Sequence, residues 1–533
     1  GRKERLAPMV QQMVDQQRQG GADSPARKAN FANWKLKMLN GAKNPGEYHN
    51  EIFKAAEKGE LTLDEYMKLK SEFDAVVDKC QVTIITDPAM VKELRVEANK
   101  IYSLEFTPEF LGSAARYTND GGATWAYTES LVGAINGITT TAKADGKVEL
   151  LKDCTIESQL KISGKKFTWN GNGHTVSFVS KYSEITDNYQ GAIHIMSSSD
   201  VDFTDTKFVG PGTSETATDR PFAVVAATAS FGKDVTISDF KNSRPYGGAI
   251  WGNNQSIIYL KDNLKITNCH NAPSSSDYGG GALCSDGTIY VQDDVLISGC
   301  SSTFSGGAIL SNYNNATSKL TISGNARIEK CKAKNGGAVY LSASKANVTL
   351  SDNVLIKDCE ASTAGGGIGT SGYAYIEMMG NSRITGCKAN NGNGGAIRDN
   401  YTSGSVTVTE NAMIDNCSAT VQGGAIQHCG TITISGNATI DGCHSDKIGG
   451  AIAVWQKATL EGNATIKNCS SDLGGAICDT TKTANYGVVI IKGSAKIEDC
   501  KAANGGGICA DSISVIAVKM TGGTIKSCSA EYG

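Results

Sequence analysis

Cysteine is the residue best placed for chemistry in this chain of 533 amino acids, which contains sixteen of them. Regularly spaced thiols form disulfides in exported proteins, bind metals, or fill small buried positions of a repeated unit. Cys-x-x-Cys pairs of the zinc type are absent, and Phe240 fills the equivalent place in an earlier repeat. The position therefore requires packing rather than sulfur, which favours buried free thiols over stacked disulfides or a metal site. The ten recurring cysteines are Cys269, Cys300, Cys331, Cys359, Cys387, Cys417, Cys443, Cys469, Cys500 and Cys528.

The element that must position these thiols is a repeat marked by a Gly-Gly-Ala-Ile-like tetrapeptide. Its spacing varies between 25 and 33 residues, and a second signature such as Ile434 to Cys443 accompanies it. Apolar and polar residues alternate in that signature and Gly-Asn pairs interrupt it, which indicates short strands and turns. The ten tetrapeptides end at Ile250, Leu283, Ile309, Val339, Ile368, Ile397, Ile426, Ile452, Ile477 and Ile508.

A unit of this length cannot bury its own apolar face, so each unit must form one coil stacked on the next. The sequence thus predicts an all-β parallel solenoid in which equivalent residues lie about 4.8 Å apart and form ladders. Asparagine is expected to form one ladder at a turn, where it tolerates left-handed geometry and its amide can bond the next coil. Its members are Asn263, Asn325, Asn353, Asn381, Asn411, Asn437 and Asn463.

Cys478 and Cys509 stand apart from the ten recurring cysteines. Each directly follows a tetrapeptide, and the two repeats are adjacent. We expect them to be neighbours one coil apart, which makes them the candidate disulfide pair.

The Gly-Gly-Ala-Ile element, as at Gly394 to Ile397 and Gly423 to Ile426, resembles that of bacterial surface proteins of the right-handed parallel β-helix, or pectin-lyase-like, superfamily. It is similar to the repeats of the polymorphic outer-membrane proteins, although their Phe-x-x-Asn companion motif is replaced by an Ile-x-x-Cys type. The resemblance covers about residues 120 to 533 and implies a right-handed parallel β-helix. It leaves function open, because the superfamily contains lyases, hydrolases, adhesins and phage tailspikes.

Catalytic residues of such enzymes are not recognisable in this chain. A lyase requires an acidic cluster for calcium with a basic residue beside it, and a hydrolase requires two or three carboxylates. Asp293-Asp294 occupies a turn position where other repeats carry Gly-Asn, and Asp219-Arg220-Pro221 is interpreted as an isolated surface turn. The sequence therefore predicts no catalytic residue and no cofactor.

Two His-Cys pairs, His428-Cys429 and Cys443-His444, suggest a metal site across one coil. Because Cys443 belongs to the recurring cysteines, the packing interpretation is preferred and no metal site is predicted.

Aromatic residues in the variable segments after the tetrapeptides are the candidate binding residues. Variable loops on a rigid scaffold commonly carry binding sites, and in a solenoid they line one side. We expect these side chains either to form a row on which sugar rings stack or simply to cover the coil. The candidates are Tyr313, Tyr373, Tyr401, Trp455 and Tyr486.

Three regions are predicted: an N-terminal α-helical bundle or attachment segment over 1–80, a connecting region over 81–126, and the β-helix over 127–533. The first contains a helix from Pro45 to Glu57 and a second helix opened by the capping box Thr62 to Glu65. The connecting region contains a strand over 82–86 and a helix over 88–102.

Two apolar stripes are expected on helices. Leu131, Val132, Ile135 and Ile138 are expected to close the open end of the first coil, whose unpaired strand edges need a cover. Leu63, Tyr66, Met67, Phe73, Val76 and Val77 are expected to form the inner face of the second N-terminal helix.

Composition restricts the partners. The net charge is −3 and the chain has no run of basic residues, which disfavours nucleic acid as a partner. The sequence contains no apolar run of 18 residues, so no membrane span is predicted. The chain stops in mid-repeat after Cys528, so it is expected to be a fragment of a longer protein.

The sequence favours a non-enzymatic adhesin-like protein, located outside the cell, on the cell surface or on a virion, that contacts glycans or other host surface molecules. The alternatives are a polysaccharide lyase or glycoside hydrolase of the same fold, including the tailspike type, and a structural stalk.

Overall fold

The computed structural model describes residues 45–58, 60–72, 112–212, 218–273, 279–312, 319–342, 345–480, 488–510 and 517–532. Within them the chain divides into two compact units, 1–113 and 114–533. The predicted strand over 82–86 and helix over 88–102 lie outside the described residues.

The first unit contains the helix Pro45–Glu57 and helical residues 63–72. The predicted capping box is present: Glu65 N donates to Thr62 Oγ1 at 3.2 Å and Thr62 N donates to Glu65 Oε2 at 2.8 Å. The predicted inner face of the second helix is wrong in one respect. Leu69 is fully buried, whereas Met67 is 55% exposed. Phe73, Val76 and Val77 lie outside the described residues.

The second unit is a right-handed parallel β-solenoid, as predicted. Each coil contributes up to four short strands, which stack on the strands of neighbouring coils to form four sheets, numbered here in the order in which the chain crosses them. Every neighbouring pair is parallel except at the start of sheet 2, where Ala115–Thr118 pairs antiparallel with both neighbours. These residues were predicted within the connecting region 81–126 and are part of the solenoid.

The thirteen strands of sheet 1 begin, from the fourth on, at the last residue of a tetrapeptide. They are Leu160–Ser163, Ile193–Met196, Phe222–Val225, Ile250–Gly252, Leu283–Ser285, Ile309–Ser311, Val339–Leu341, Ile368–Thr370, Ile397–Asp399, Ile426–His428, Ile452–Val454, Ile477–Asp479 and Ile508–Ala510. Sheet 2 consists of Ala126–Thr128, Ala115–Thr118, Lys147–Leu150, Lys166–Asn170, Asp200–Thr204, Thr228–Phe231, Ile257–Leu260, Thr288–Val291, Leu320–Ile322, Ala346–Leu350, Ala374–Met378, Ser405–Val408, Thr431–Ile434, Lys457–Leu460, Val488–Ile491 and Val518–Met520.

Sheets 3 and 4 complete each coil. Sheet 3 consists of Cys154–Ile156, Thr175–Phe178, Lys207–Val209, Thr236–Ser238, Lys265–Thr267, Leu296–Ser298, Arg327–Glu329, Leu355–Lys357, Arg383–Thr385, Met413–Asp415, Thr439–Asp441, Thr465–Lys467, Lys496–Glu498 and Thr524–Lys526. Sheet 4 consists of Lys241–Asn242, His270–Asn271, Ser301–Ser302, Lys332–Asn335, Glu360–Ala364, Lys388–Ala389, Ser418–Ala419, His444–Ser445, Ser470–Leu473, Lys501–Asn504 and Ser529–Tyr532.

The interior consists of residue columns that run from coil to coil. The central residue of each sheet 3 strand points inward and is isoleucine in every coil from Ile237 to Ile525. Full burial of one such side chain stabilises the fold by about 1.5–3 kcal/mol. In the first coils aromatic rings fill the same space, as where Phe203 stacks on Phe231 with centroids 4.9 Å apart.

The ten recurring cysteines form another interior column, at the corner between sheets 3 and 4. Nine are buried, and Cys528 in the last coil is half-buried. Each follows a residue with positive φ, as Asn268 (φ 52°) precedes Cys269, so the chain turns and directs the thiol inward. Phe240 occupies the position equivalent to Cys269 in the preceding coil. The carbonyl oxygen of Phe240 accepts from His270 N, and the carbonyl oxygen of Cys269 accepts in the same way from Ser301 N. The predicted packing role of this column is confirmed by its burial.

The asparagine ladder lies on the surface, at the turn between sheets 2 and 3. Asn353 Nδ2 donates to Asn325 Oδ1 at 2.9 Å, and the same bond recurs upward to Asn463. Left-handed geometry belongs to the preceding residue instead, for example Gly436 (φ 66°) before Asn437. The ladder is thus confirmed, and the asparagines contribute to it through their amides alone.

Two conformational roles of glycine occur side by side in the tetrapeptide. Gly423 has φ 64°, and a Cβ on Gly424 would lie 2.1 Å from the carbonyl oxygen of Gly450 in the next coil. The first glycine therefore makes the turn, and the second allows the coils to approach.

The helix Leu131–Gly137 covers the first coil and is capped by Ser130, whose side chain accepts from Gly133 N at 3.1 Å. Leu131, Ile135 and Ile138 are buried in the core as predicted, whereas Val132 is 40% exposed and does not belong to the stripe.

Candidate functional site

Three of the five predicted aromatic residues lie at one corner of the solenoid, in the loops that lead from sheet 1 to sheet 2. Tyr373, Tyr401 and Trp455 follow a sheet 1 strand by three, two and one residues. Tyr401 and Trp455 are each 42% exposed, and Tyr373 is half-buried. Tyr401 lies one coil beyond Tyr373 and two coils before Trp455, which corresponds to about 5 and 10 Å along the axis. Tyr313 and Tyr486 lie outside the described residues.

A buried carboxylate holds two of these loops together. Asp399 is fully buried, and its Oδ1 accepts from Tyr401 N at 3.1 Å and from Thr370 Oγ1 at 3.0 Å. Its Oδ2 accepts from Ala374 N at 3.0 Å, which fixes the loop that carries Tyr373. Burial raises the pKa of Asp399 above its usual value. The backbones that carry the two tyrosines are therefore tied to one point of the interior.

His428 lies directly opposite Asp399 on the next sheet 1 strand, and both side chains are fully buried. His428 Nδ1 lies 3.6 Å from Asp399 Oδ2 and 3.3 Å from the Asp399 carbonyl oxygen. His444, by contrast, is exposed on sheet 4 and contacts Ser470 Oγ at 2.9 Å. The two His-Cys pairs thus lie on different sheets, and no group of three or more His, Cys, Asp or Glu suited to a metal occurs in the described residues.

Further outward-facing aromatic residues, not singled out from the sequence, continue the row on the outer face of sheet 2: Tyr259 and Tyr290 are half-buried and Tyr375 is exposed. Tyr259 and Tyr290 stack with centroids 4.9 Å apart and planes inclined by 9°. Lys319 Nζ lies 5.3 Å from the centre of the Tyr290 ring. Tyr375 is 40% exposed and meets Tyr373 edge-on at 6.3 Å. The sequence feature that indicates these tyrosines is their outward position in a strand of alternating polarity, such as Thr288–Val291.

Hydroxyl groups extend this surface along the axis. Tyr290 is in register with Thr321, which is followed coil by coil by Thr349, Glu377, Thr407, Thr433 and Thr459. We call the outer face of sheet 2 together with its sheet 1 corner the aromatic face; its members are Tyr259, Tyr290, Tyr373, Tyr375, Tyr401 and Trp455. It combines flat rings with a column of polar side chains about 4.8 Å apart, in which Glu377 interrupts the threonine hydroxyls.

The acidic pair considered as catalytic is part of a turn. Asp293 has φ 56°, and its Oδ2 accepts from Asp262 N at 3.0 Å. Asp294 Oδ1 accepts from Asn325 Nδ2 at 2.9 Å and so continues the asparagine ladder. Both side chains therefore bond the neighbouring coils, as the turn interpretation predicts.

Asp219 and Arg220 correct the sequence interpretation, because they are buried and do not form a surface turn. Arg220 is fully buried, and Asp219 is 6% exposed. Asp219 Oδ1 accepts from Arg244 Nε at 2.8 Å, while Arg220 Nη2 donates to the carbonyl oxygens of Asn188 and Pro245. A loop over 181–190 covers them, and the local sequence carries no signal for that cover.

Cys478 and Cys509 lie directly opposite each other on the last two strands of sheet 1, as predicted for neighbours one coil apart. Cys478 is buried and Cys509 is half-buried. All fifteen cysteines in the described residues are free thiols in this structure.

Comparisons with protein-family models, with characterised proteins and with solved structures found no match to this chain. None of the helices in the described residues has the length and apolar character needed to cross a bilayer.

Proposed function

We propose that the protein is a non-enzymatic, surface-exposed, adhesin-like solenoid that binds host or cell-surface glycans along its aromatic face. The observation that carries this proposal is the alignment of exposed rings on a rigid scaffold, with Tyr401 and Trp455 each 42% exposed and Tyr375 40% exposed. Aromatic rings offer their faces to the apolar side of sugar rings, and adjacent hydroxyl groups bond to sugar hydroxyls.

The support of these rings favours recognition over a purely covering role. Asp399 fixes the backbone of both tyrosine loops, so little order is lost on binding. The stacked Tyr290 and Tyr259 present a second platform; they lie six and seven coils away from Trp455, respectively. This spacing corresponds to about 29 to 34 Å, which suits a chain of sugars better than a single residue.

The experiment is a glycan array probed with the whole chain and with the variant Tyr375→Ala/Tyr401→Ala/Trp455→Ala. We expect saturable binding to a subset of glycans and at least a tenfold loss of affinity in the triple variant. The matched control is Tyr532→Ala, which removes an exposed tyrosine from sheet 4 and should bind like the parent.

If the protein binds no glycan, or if the triple variant binds as well as the parent, glycan binding along the aromatic face is wrong and a structural stalk is the remaining non-enzymatic interpretation. Incubation with polysaccharides tests the enzymatic alternative, because a lyase or hydrolase would release new chain ends. The proposal expects none.

A further inference from the structure

The outer face of sheet 1 contains a second cluster, away from the aromatic face, in which buried polar groups converge without hydrogen-bond partners in the described part of the chain. We call it the roofed cluster; it consists of His194, Arg220 and Trp251, with Tyr189 and Tyr246 above them. Position two of each sheet 1 strand points outward, and His194, Ala223 and Trp251 occupy that position in successive coils. His194 is 7% and Trp251 3% exposed, although both point away from the core.

The loop over 181–190 forms the roof. The Tyr189 ring lies 5.9 Å from Tyr246, with planes inclined by 23°, and 5.3 Å from Trp251. Tyr189 is itself 52% exposed, so it lies at the boundary between the cluster and solvent. Arg220 Nη2 holds the roof by donating to Asn188 O at 2.8 Å and to Pro245 O at 2.6 Å.

Arg220 has more donors than partners. A guanidinium carries five N–H groups. The two bonds of Nη2 leave the N–H groups of Nε and Nη1 buried without an acceptor among the residues that the structure describes. The charge is not balanced by a hydrogen-bonded carboxylate, because Asp219 bonds to Arg244 Nε and to Tyr182 N instead. The guanidinium carbon lies 5.8 Å from the centre of the Trp251 ring.

Neighbouring groups share this condition. Trp251 Nε1 and both ring nitrogens of His194 are buried, and no described residue forms a hydrogen bond with them. A buried donor without a partner costs about 1–3 kcal/mol, so several of them on one surface indicate that something else accepts their hydrogen bonds.

We propose that the roofed cluster binds a carboxylate-bearing sugar, that is, a uronate or sialate residue. The carboxylate would accept from Arg220, the ring would pack among Trp251, Tyr189 and Tyr246, and His194 and Trp251 Nε1 would bond to sugar hydroxyls. This inference rests on the proposed glycan binding and makes it specific, because it adds recognition of acidic sugars.

The test uses the whole chain, titrated with glucuronate, with N-acetylneuraminate and with neutral glucose, by calorimetry and by tryptophan fluorescence. We expect saturable binding of at least one of the two acids, at least tenfold tighter than binding of glucose. The two acids distinguish a uronate from a sialate source.

Variants assign the binding to this cluster. Arg220→Gln should abolish acid binding, but it also removes the bonds that hold the roof. Trp251→Phe and His194→Gln therefore accompany it. Trp251→Phe removes the indole donor, His194→Gln replaces the imidazole by an amide of different shape, and both leave those bonds intact; each should weaken acid binding about threefold to tenfold. Tyr532→Ala, an exposed residue of neither surface, is the control and should bind the acids like the parent. Acid binding lost in Tyr401→Ala/Trp455→Ala but kept in the variants of the roofed cluster would place it on the aromatic face, which overturns this inference and not the proposed function.

Three results would overturn the inference: no saturable binding of either acid, equal binding of glucose, or unchanged affinity in both Trp251→Phe and His194→Gln. A crystal soaked in both acids that shows only water beside Arg220 would do the same.

Discussion

The side-chain amide of Asn463 donates to the carboxamide oxygen of Asn437 at 3.0 Å, from one coil to the next. Asn437 in turn donates to Asn411 at 3.1 Å, so a residue in the middle of the ladder takes part in two such bonds. Each bond joins coils 26 residues apart in sequence. The surface of the solenoid is thereby cross-linked independently of its backbone hydrogen bonds.

Substitution within this ladder should destabilise the protein in proportion to the bonds lost. Asn437→Ala removes two amide bonds and should lower the free energy of unfolding by about 1–2 kcal/mol. Asn463→Ala removes only the bond to Asn437 and serves as the matched control, with an effect about half as large. Urea unfolding followed by circular dichroism measures both. Equal effects of the two substitutions would show that the ladder does not act through its amides.

The tetrapeptide glycines should be far less replaceable than the glycines of exposed turns. Gly424→Ala places a Cβ 2.1 Å from Gly450 O and 2.5 Å from His444 O, so the coils must separate, at a cost of about 3 kcal/mol. Gly442 also has positive φ, yet Asn416 and Asn468 occupy the same turn position in neighbouring coils. Gly442→Asn should therefore be nearly neutral. Thermal unfolding of both variants checks the contrast, which a large loss in Gly442→Asn would contradict.

The interior cysteines should remain unreactive while the protein is folded, because nine of the ten are buried. Burial raises the pKa of Cys331, Cys359 and Cys417 well above the usual value of 9.0. Although burial opposes it, hydrogen bonds with neighbouring thiols lower the pKa of Cys300, Cys387 and Cys443. Thiol titration with a disulfide reagent should detect few groups in the native protein and all sixteen in guanidinium. Extensive labelling of the native protein would contradict this.

The same pKa shift makes stability depend on pH in the alkaline range. Because the folded pKa of Cys331, Cys359 and Cys417 lies above the unfolded one, the contribution of these three thiols is complete below pH 9 and decreases as the pH rises above it. The free energy of unfolding should therefore fall above pH 9, and less steeply in Cys359→Ala than in the parent. Chemical unfolding at pH 8, 9 and 10 measures the slope; a flat profile would contradict the prediction.

Cys478 and Cys509 form the thiol pair most accessible to an oxidant. Their strands are neighbours in register, which places the Cα atoms about 4.8 Å apart, within the range that a disulfide spans. Treatment with diamide should join them and leave the nine buried cysteines of the column reduced, because Cys509 is half-buried and those nine are not accessible. Peptide mapping by mass spectrometry identifies the link, with Cys509→Ser as control. Links among the interior cysteines would contradict this prediction.

The sequence was sufficient to predict features that recur in every coil. The ten tetrapeptides, the cysteine column and the asparagine ladder are read correctly because a slip of one residue in one coil would turn its apolar side chains outward. Features that occur once were missed. Arg220 looked like a surface residue because its burial depends on the loop over 181–190, which folds over sheet 1 from a different coil.

Some errors arose from reading local patterns without their neighbours. Val132 fits a helical stripe but lies on the solvent side of a helix of only seven residues. The stacked pair Tyr259 and Tyr290 carries no loop signal in the sequence, because both tyrosines lie within strands. In a solenoid, an outward strand position is as accessible as a loop.

His194 should make the protein sensitive to acid. The pKa of His194 is lowered to about 4. Burial is the main cause; the charges of Lys161 and Arg220 act in the same direction, and Asp187 opposes them. The unfolded chain therefore binds a proton that the folded chain excludes. The contribution of His194 is complete above pH 6.5 and is lost as the pH falls towards 4. The corresponding free energy is about 3 kcal/mol, from about 1.4 kcal/mol per pKa unit. Unfolding in urea between pH 7 and pH 4 measures this slope, and His194→Gln should flatten it. An equally steep decline in His194→Gln would show that other groups, and not this buried imidazole, control stability in acid.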